Sequence, residues 1–291
     1  MIKIPKPADF SFKITVQSHG WYDLSPFCYD KAEGILNYVF LDEKGKNAVA
    51  GSMRENGGSI VVELGNSKIG QARIERDVKH LLRMDDDMSG FYDSVLKEDR
   101  FNWIAKIGAG RMLRSPTVFE DVVKTLCTTN CSWALTKKVV ENLVEKLGKK
   151  ATGGLKAFPT AAAMASVDEA FYRDEIRAGY RSPYFVELSN AVAAGKVEPE
   201  NWLRSEKPTS ELRKEIKGVK GFGDYAADNL LKLLGRYDGL ALDSFLRGSF
   251  IKKHNRDRPC ADKKILKHYA KFGEWKALAI WCDMTEHWFE K

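Results

Sequence analysis

At 291 residues the chain has room for about two domains of ordinary size and a sizeable buried core. Hydrophobic residues make up 44% and charged residues 30%, a composition that excludes disordered and fibrous classes. Against 40 Asp and Glu stand 47 Lys and Arg, and the resulting net charge of +7 favours a polyanionic partner.

That charge is uneven. Residues 1–100 carry net −2, residues 101–200 net +3 and residues 201–291 net +6, so an anion-binding surface belongs to the C-terminal two thirds. No apolar run approaches the ~20 residues of a membrane span, and a membrane partner is not expected. The opening MIKIPKPADFSFK has no hydrophobic signal core, so a cytoplasmic, nucleoid-associated location is expected.

The first ~70 residues read as strands: DFSFKITVQ, ILNYVFLD, NAVAGSMRE and SIVVELG alternate apolar and polar positions between Gly and Asn breaks. A hairpin is expected around Glu43–Lys46, within an antiparallel sheet covered on one face. After about Lys68 the apolar period lengthens to three and four residues, as amphipathic helices require. Helices are expected at about 117–128, 132–148, 160–166, 168–177, 182–195, 209–217, 223–235, 243–253, 261–271 and 274–289, with caps such as Ser115-Pro116 and Thr209. The fold class is α+β, with a small N-terminal antiparallel β-sheet domain over residues 1–85 and a larger all-helical domain over 86–291.

The run Asp85-Asp86-Asp87 lacks the spacing and glycine of a calcium loop and reads as a solvated helix junction. Of the five cysteines, only Cys127 and Cys131 lie close, in a CxxxC spacing that suits neither zinc nor an iron–sulfur cluster. The histidines His19, His80, His254, His268 and His287 are scattered without ligand spacing.

The informative stretch is ELRKEIKGVKGFGDYAADNLLKLLGRYDGLALDSFLR, residues 211–247. One helix ending near Lys217 meets a glycine-rich turn, residues 218–223, and a second helix starts at Asp224. Gly221 and Gly223 permit a tight turn and close approach by a ligand. Unpaired amides at the second helix start form a phosphate seat, with Lys217 and Lys220 beside it.

Helix, Gly-x-Gly hairpin, helix and an Asp about 20 residues on resembles the helix-hairpin-helix DNA glycosylase superfamily. Its L-P-G-V-G-x-x-x-A and V-D-x-H pattern matches V-K-G-F-G-D-Y-A-A and L-D-S-F here, with Lys220 in place of Pro and Phe245 in place of His. The segment 110–148, Gly179-Tyr180-Arg181-Ser182-Pro183-Tyr184 and the ending FGEWKALAIWCDM are also similar to 8-oxoguanine and 3-methyladenine glycosylases.

The resemblance implies double-stranded DNA containing a damaged base as partner, and a monomer that flips a damaged purine and cleaves its N-glycosidic bond. It carries the catalytic carboxylate onto Asp243, whose plainer reading is a helix N-cap. Tyr225 stands where lyase-active members have a Schiff-base lysine, and a phenol forms no imine, so water attack is implied. Tyr225, Trp281 and Phe245 are the base-pocket residues, although Trp281 beside Leu278 and Ile280 also suits a core stripe.

Asn130 matches the position that enters the DNA gap, or else is a helix–helix turn residue; Arg181 matches the contact to the opposite base, or else is a surface ion pair. Lys252, Lys253, Arg256 and Arg258 form a basic cluster suited to backbone phosphates or simply to solvent. No cofactor is required. The family's hairpin carbonyls often hold Na+ or K+, which the resemblance places near Lys217, Val219 and Phe222. Electron-rich aromatics in the pocket give alkylated purine of 3-methyladenine type a slight preference over 8-oxoguanine. A non-catalytic hairpin module that only binds DNA is the alternative.

Overall fold

In the computed structural model, which describes residues 1–66 and 68–289, the chain opens with a five-stranded antiparallel sheet. Its strands are β1 (Ile2–Pro5), β2 (Cys28–Asp30), β3 (Ile35–Leu41), β4 (Ala48–Asn56) and β5 (Ser59–Leu64), in the order β1-β5-β4-β3-β2. Alternation sets the buried face: Ile2, Ile4, Ile60, Val62, Met53, Leu36, Tyr38 and Phe40 all point into the core. The expected hairpin joins β3 to β4, with Phe40 opposite Val49 and Leu41 opposite Ala48.

The helices are α1 (Phe12–Val16), α2 (Gln71–Leu82), α3 (Ser89–Leu96), α4 (Asn102–Ile107), α5 (Val118–Cys127), α6 (Trp133–Leu147), α7 (Ala161–Ala165) and α8 (Glu169–Asp174). They continue as α9 (Ser182–Ala193), α10 (Glu200–Leu203), α11 (Thr209–Lys217), α12 (Asp224–Leu233), α13 (Ser244–His254), α14 (Asp262–Tyr269) and α15 (Lys276–Thr285). Each expected helix is present, most of them shorter by a residue or more at an end. The caps differ in detail: Thr117, not Ser115, accepts the Glu120 amide, and Thr209 is already helical behind Pro208. Among the described residues no helix is long and apolar enough to cross a membrane.

One expectation fails. DFSFKITVQ is not a strand but contains α1, and the strand that pairs with β5 is the earlier Ile2–Pro5. Phe12, Thr15 and Val16 are buried together, a helical spacing that the alternation of Phe10, Phe12, Ile14 and Val16 disguises. A short apolar run carries both periods, and its packing partner decides between them.

A continuous apolar core runs from Ile2 in β1 to Met284 in α15. At its centre lies α5, with all ten residues from Val118 to Cys127 buried, including Glu120, Asp121 and Lys124. Lys124 pairs with Glu120 at 2.7 Å, and the Tyr38 hydroxyl donates to Glu120 at 2.6 Å. The amides of Val118 and Phe119 donate to the Glu200 carboxylate at 3.1 and 3.0 Å, which closes the open helix start.

A second polar knot ties the C-terminal helices. Asp283 accepts from His254 at 2.7 Å and from the Tyr269 hydroxyl at 2.5 Å, and pairs with Lys253 at 2.9 Å. Burial raises its carboxyl, but the hydrogen bonds from His254, Tyr269 and Lys253 prevail and hold it well below the usual carboxylate range.

Removing one member of the α5 pair leaves a buried charge alone. Lys124→Met is expected to cost about 3–5 kcal/mol in urea unfolding, whereas Glu120→Leu with Lys124→Met regains a large part of that loss. Equal destabilisation by the single and double variants would refute this.

Candidate active site and DNA face

Asp243 is the N-cap of α13. One carboxylate oxygen accepts the Leu246 amide at 2.7 Å, so the capping and site readings of this residue are compatible. It lines a cavity of about 280 Å³ together with Tyr225, Asn229, Lys232 and Leu233 of α12, Trp281 of α15, and Thr128 and Cys131 beyond α5. Tyr225, Asn229 and Lys232 share one face of α12, as a helical spacing of four and three residues requires.

The N-terminal segment adds His19, Gly20 and Trp21 to the wall, and Met112, Thr125, Trp133 and Thr136 complete it. It is pinned from two sides. The Trp281 indole donates to the Ser18 carbonyl at 2.8 Å, and the Leu113 amide donates to the Ser18 hydroxyl at 2.9 Å. His19 hydrogen-bonds the Leu113 carbonyl, and the Trp21 indole donates to Asp121 of α5 at 2.7 Å. Gly20 is required here, because a Cβ would stand 2.5 Å from the Trp133 ring at the rim.

Electrostatics differ from wall to wall. Burial pushes His19 down to about 3, with the Lys232, Lys124 and Arg83 charges adding to it and the Leu113 hydrogen bond opposing. Burial raises the Tyr225 phenol, and Asp243 adds to that, so the ring is uncharged at neutral pH. Lys232 is buried with its ammonium 4.5 Å over the Trp281 ring, and its Nζ has no hydrogen-bond partner. Burial lowers it to about 8, against the pull of Asp243 and Asp228.

Phe245 does not line the cavity. It is exposed outside it, 6.2 Å from the Trp281 ring and 6.0 Å from Trp288. Two larger clefts, of about 530 and 540 Å³, flank the sheet and contain no residue of the hairpin or of α13.

Between α11 and α12 the hairpin turns at Gly221, whose φ of +89° suits glycine. A Cβ there would also meet the Tyr184 ring at 2.6 Å and Leu126 at 2.8 Å, so the turn is seated on α5 and α9. Gly223 is exposed, with open space where a side chain would point. Val219 and Phe222 are buried, and the Val219 carbonyl accepts the Phe222 amide at 3.0 Å. Lys217 pairs with Asp224 at 2.7 Å and Lys220 with Glu187 at 3.0 Å.

No protein-family model and no curated protein matches the chain. Solved structures do. The 3-methyladenine DNA glycosylase from Archaeoglobus fulgidus superposes with a TM-score of 0.78 at 18% identity, covering 100% of this chain and 99% of that one. The Clostridium acetobutylicum 8-oxoguanine glycosylase/lyase in its apo form gives 0.73 at 19% identity, over 95% and 93% of the two chains. MBOgg1 in complex with a low-affinity DNA ligand gives 0.77 at 20% identity, over 98% and 95%.

The fold is that of the helix-hairpin-helix DNA glycosylases.

Between the cavity-lining Thr128 and Cys131, Asn130 is exposed at the turn between α5 and α6, with a left-handed φ of +44° that asparagine tolerates. Arg181 is buried. Its guanidinium donates to the Thr129 carbonyl and, at 3.2 Å, to the Thr129 hydroxyl, and it packs 4.5 Å over Tyr180, so it braces the Asn130 turn from behind. Lys252 is exposed in the last turn of α13 and Arg256 and Arg258 just beyond it, while Lys253 is held by Asp283 and by Glu286 at 2.5 Å.

Sequence spacing gives no sign that His254, His268 and Asp283 meet, yet their ligand atoms lie within 4.8 Å. Lys253 on Asp283, with Arg100 at 3.6 Å, gives this cluster the character of an ion-pair knot rather than a cation seat. Among the cavity residues that sequence missed are His19, Trp21 and Lys232. The signal for Lys232 was its place two turns after Tyr225 on the hairpin's second helix.

Folding keeps His19 neutral, so its contribution to stability is complete above the unfolded pKa near 6.5 and is lost as pH falls toward about 3. Relative to His19→Gln, the wild type is expected to lose up to ~1.4 kcal/mol per pH unit below pH 6.5. Urea midpoints of both proteins at pH 7 and pH 5 measure it. Parallel pH dependence would show that His19 does not carry the effect.

Proposed function

We propose that the protein is a DNA N-glycosylase that extrudes a damaged purine from a duplex into the Asp243 cavity and hydrolyses its N-glycosidic bond. The observation that carries this reading is one carboxylate and two aromatic rings, Asp243, Tyr225 and Trp281, on a single cavity beside the hairpin. A base stacked in the duplex is out of reach, so the nucleotide must leave the helix first.

Bond cleavage builds positive charge on the deoxyribose. The Asp243 oxygen not occupied by the Leu246 amide can stabilise that charge and orient a water. Tyr225 occupies the position of the lyase lysine and forms no imine, which supports a monofunctional reaction by water attack. Its ring and that of Trp281 offer stacking to a cationic alkylated purine or to a neutral oxidised one, so the aromatic walls suit both lesion classes.

Duplex DNA is the partner in this reading, bound by a monomer acting at the nucleoid. The hairpin amides, Lys220 and Lys252 serve phosphates, and Asn130 fills the vacated position in the stack. No cofactor takes part in the reaction. The carbonyls of Lys217, Val219 and Phe222 suit a monovalent cation: they are hard oxygen donors, and a carbonyl that accepts one amide keeps a second lone pair. Pairing of Lys217 with Asp224 and of Lys220 with Glu187 reduces the positive charge facing such an ion, which would tie the hairpin to a phosphate.

Asp243→Asn preserves the cap while removing the charge. It is expected to lower base release from duplexes carrying single defined lesions by at least ~100-fold while leaving duplex binding intact. Base release by the variant at the wild-type rate would refute the role of Asp243. Duplex binding by a wild type that releases no damaged base would favour the binding module.

A further inference from the structure

The most unusual group in the cavity is the Lys232 ammonium. It is 2% exposed, lines the cavity with Asp243, and has no hydrogen-bond partner for its Nζ. Buried polar groups are ordinarily paired, and an ammonium has three protons to donate. A core lysine of merely structural use would have been drawn onto a carboxylate, as Lys124 is onto Glu120 at 2.7 Å. Lys232 instead rests 4.5 Å over the face of Trp281, a contact that tolerates the charge but accepts none of its hydrogen bonds.

The cavity wall holds acceptors, the Asp243 carboxylate, the Asn229 amide oxygen and the Thr125, Thr128 and Thr136 hydroxyls among them, yet none hydrogen-bonds Lys232 Nζ. His19 uses Nε2 on the Leu113 carbonyl, and the Trp281 indole is a donor committed to Ser18. Met112 and Leu233 are apolar, and Asn229 donates its amide to the Tyr225 carbonyl at 2.8 Å. The Lys232 ammonium thus keeps its protons unused within the cavity, and a base that enters brings an acceptor to them.

Resting on the glycosylase reading, we infer that Lys232 is the specificity-determining residue: its ammonium donates to a ring nitrogen or carbonyl oxygen of a neutral flipped purine and repels a cationic alkylated one. The class of substrate follows: oxidised or deaminated purines, whose Watson–Crick or Hoogsteen edges carry carbonyl acceptors, ahead of 3-methyladenine. A cationic base beside the buried Lys232 ammonium is opposed by a like charge, whereas an ammonium meeting a carbonyl satisfies both. Because burial lowers Lys232 only to about 8, it is still mainly charged at neutral pH. The same donor steadies negative charge that develops on a neutral base as it departs, which a cationic base does not need.

The test compares wild type with Lys232→Met and Lys232→Gln in single-turnover base release. The duplexes carry 8-oxoguanine or hypoxanthine as neutral bases and 3-methyladenine as the cationic nucleoside. Wild type is expected to favour a neutral lesion. Lys232→Met should lose at least tenfold on that lesion and lose little, or gain, on 3-methyladenine. It should also melt no lower than wild type, since it removes an unpartnered buried charge.

Equal loss on both classes, or a wild type that favours 3-methyladenine, overturns the specificity role and leaves the glycosylase reading standing. Release of none of these bases by the wild type overturns both. A covalent adduct trapped by borohydride with wild type and absent with Lys232→Met would assign Lys232 as a nucleophile and overturn its role as a donor.

Discussion

Helix α5 is buried along its whole length, and that constraint organises the molecule. A helix hidden on every side cannot leave a charge to water, yet this one carries Glu120, Asp121 and Lys124. Each must be answered inside the protein: Glu120 by Lys124 one turn along α5 and by Tyr38 of the sheet, Asp121 by the Trp21 indole and the Ser115 amide at 2.9 Å. Burial still pushes the Asp121 carboxyl up to about 7 in spite of those hydrogen bonds. The result is that sheet, N-terminal segment and helices meet in one fixed arrangement around α5, and its C-terminal end delivers Thr128 and Cys131 to the cavity wall.

The cavity depends on this arrangement because its walls come from distant parts of the chain. Ser18 and Trp281 are joined by one hydrogen bond across nearly the whole sequence, and the same indole supports Lys232 with its face. Trp281 therefore works by both its edge and its ring. α15 is in turn secured to α13 and α14 through Asp283, so the helix that Asp243 caps and the helix that carries Trp281 move as one body. On the glycosylase reading proposed above, a site that holds a reacting sugar within fractions of an ångström gains from such support.

Sequence was informative where function is local. The hairpin glycines, the start of α12 at Asp224 and the cap at Asp243 are fixed by neighbours in the chain, so their spacing alone pointed to the right geometry. It was silent where function is assembled by packing. His19 and Trp21 lie in the segment that the strand reading covered or skipped, and nothing nearby in sequence announces a cavity wall. Lys232 sits in NLLKLLG, where a lone lysine among leucines reads as the solvated edge of an amphipathic helix. Only the packing of Trp281 against α12 closes that edge off. Phe245 shows the converse, since its sequence neighbourhood to Asp243 suggested the cavity while the turn of α13 directs it outward onto Trp288.

The basic excess of the C-terminal two thirds divides in the same way. Lys217 and Lys220 are paired, but both are more than a third exposed, and such surface pairs contribute only about 0–1 kcal/mol. A phosphate arriving at the hairpin can exchange for Asp224 or Glu187 at little cost. Arg181 and Lys253 are different. Arg181 is buried on Thr129, and Lys253 is shared by two carboxylates and the Asp283 carbonyl. Taking either away for a DNA contact would strip buried Thr129 or Asp283 of a charged donor, which costs about 1–3 kcal/mol. Of these positive charges, the loosely paired ones can answer the backbone of a polyanion, while the tightly held Arg181 and Lys253 shape the surface it meets.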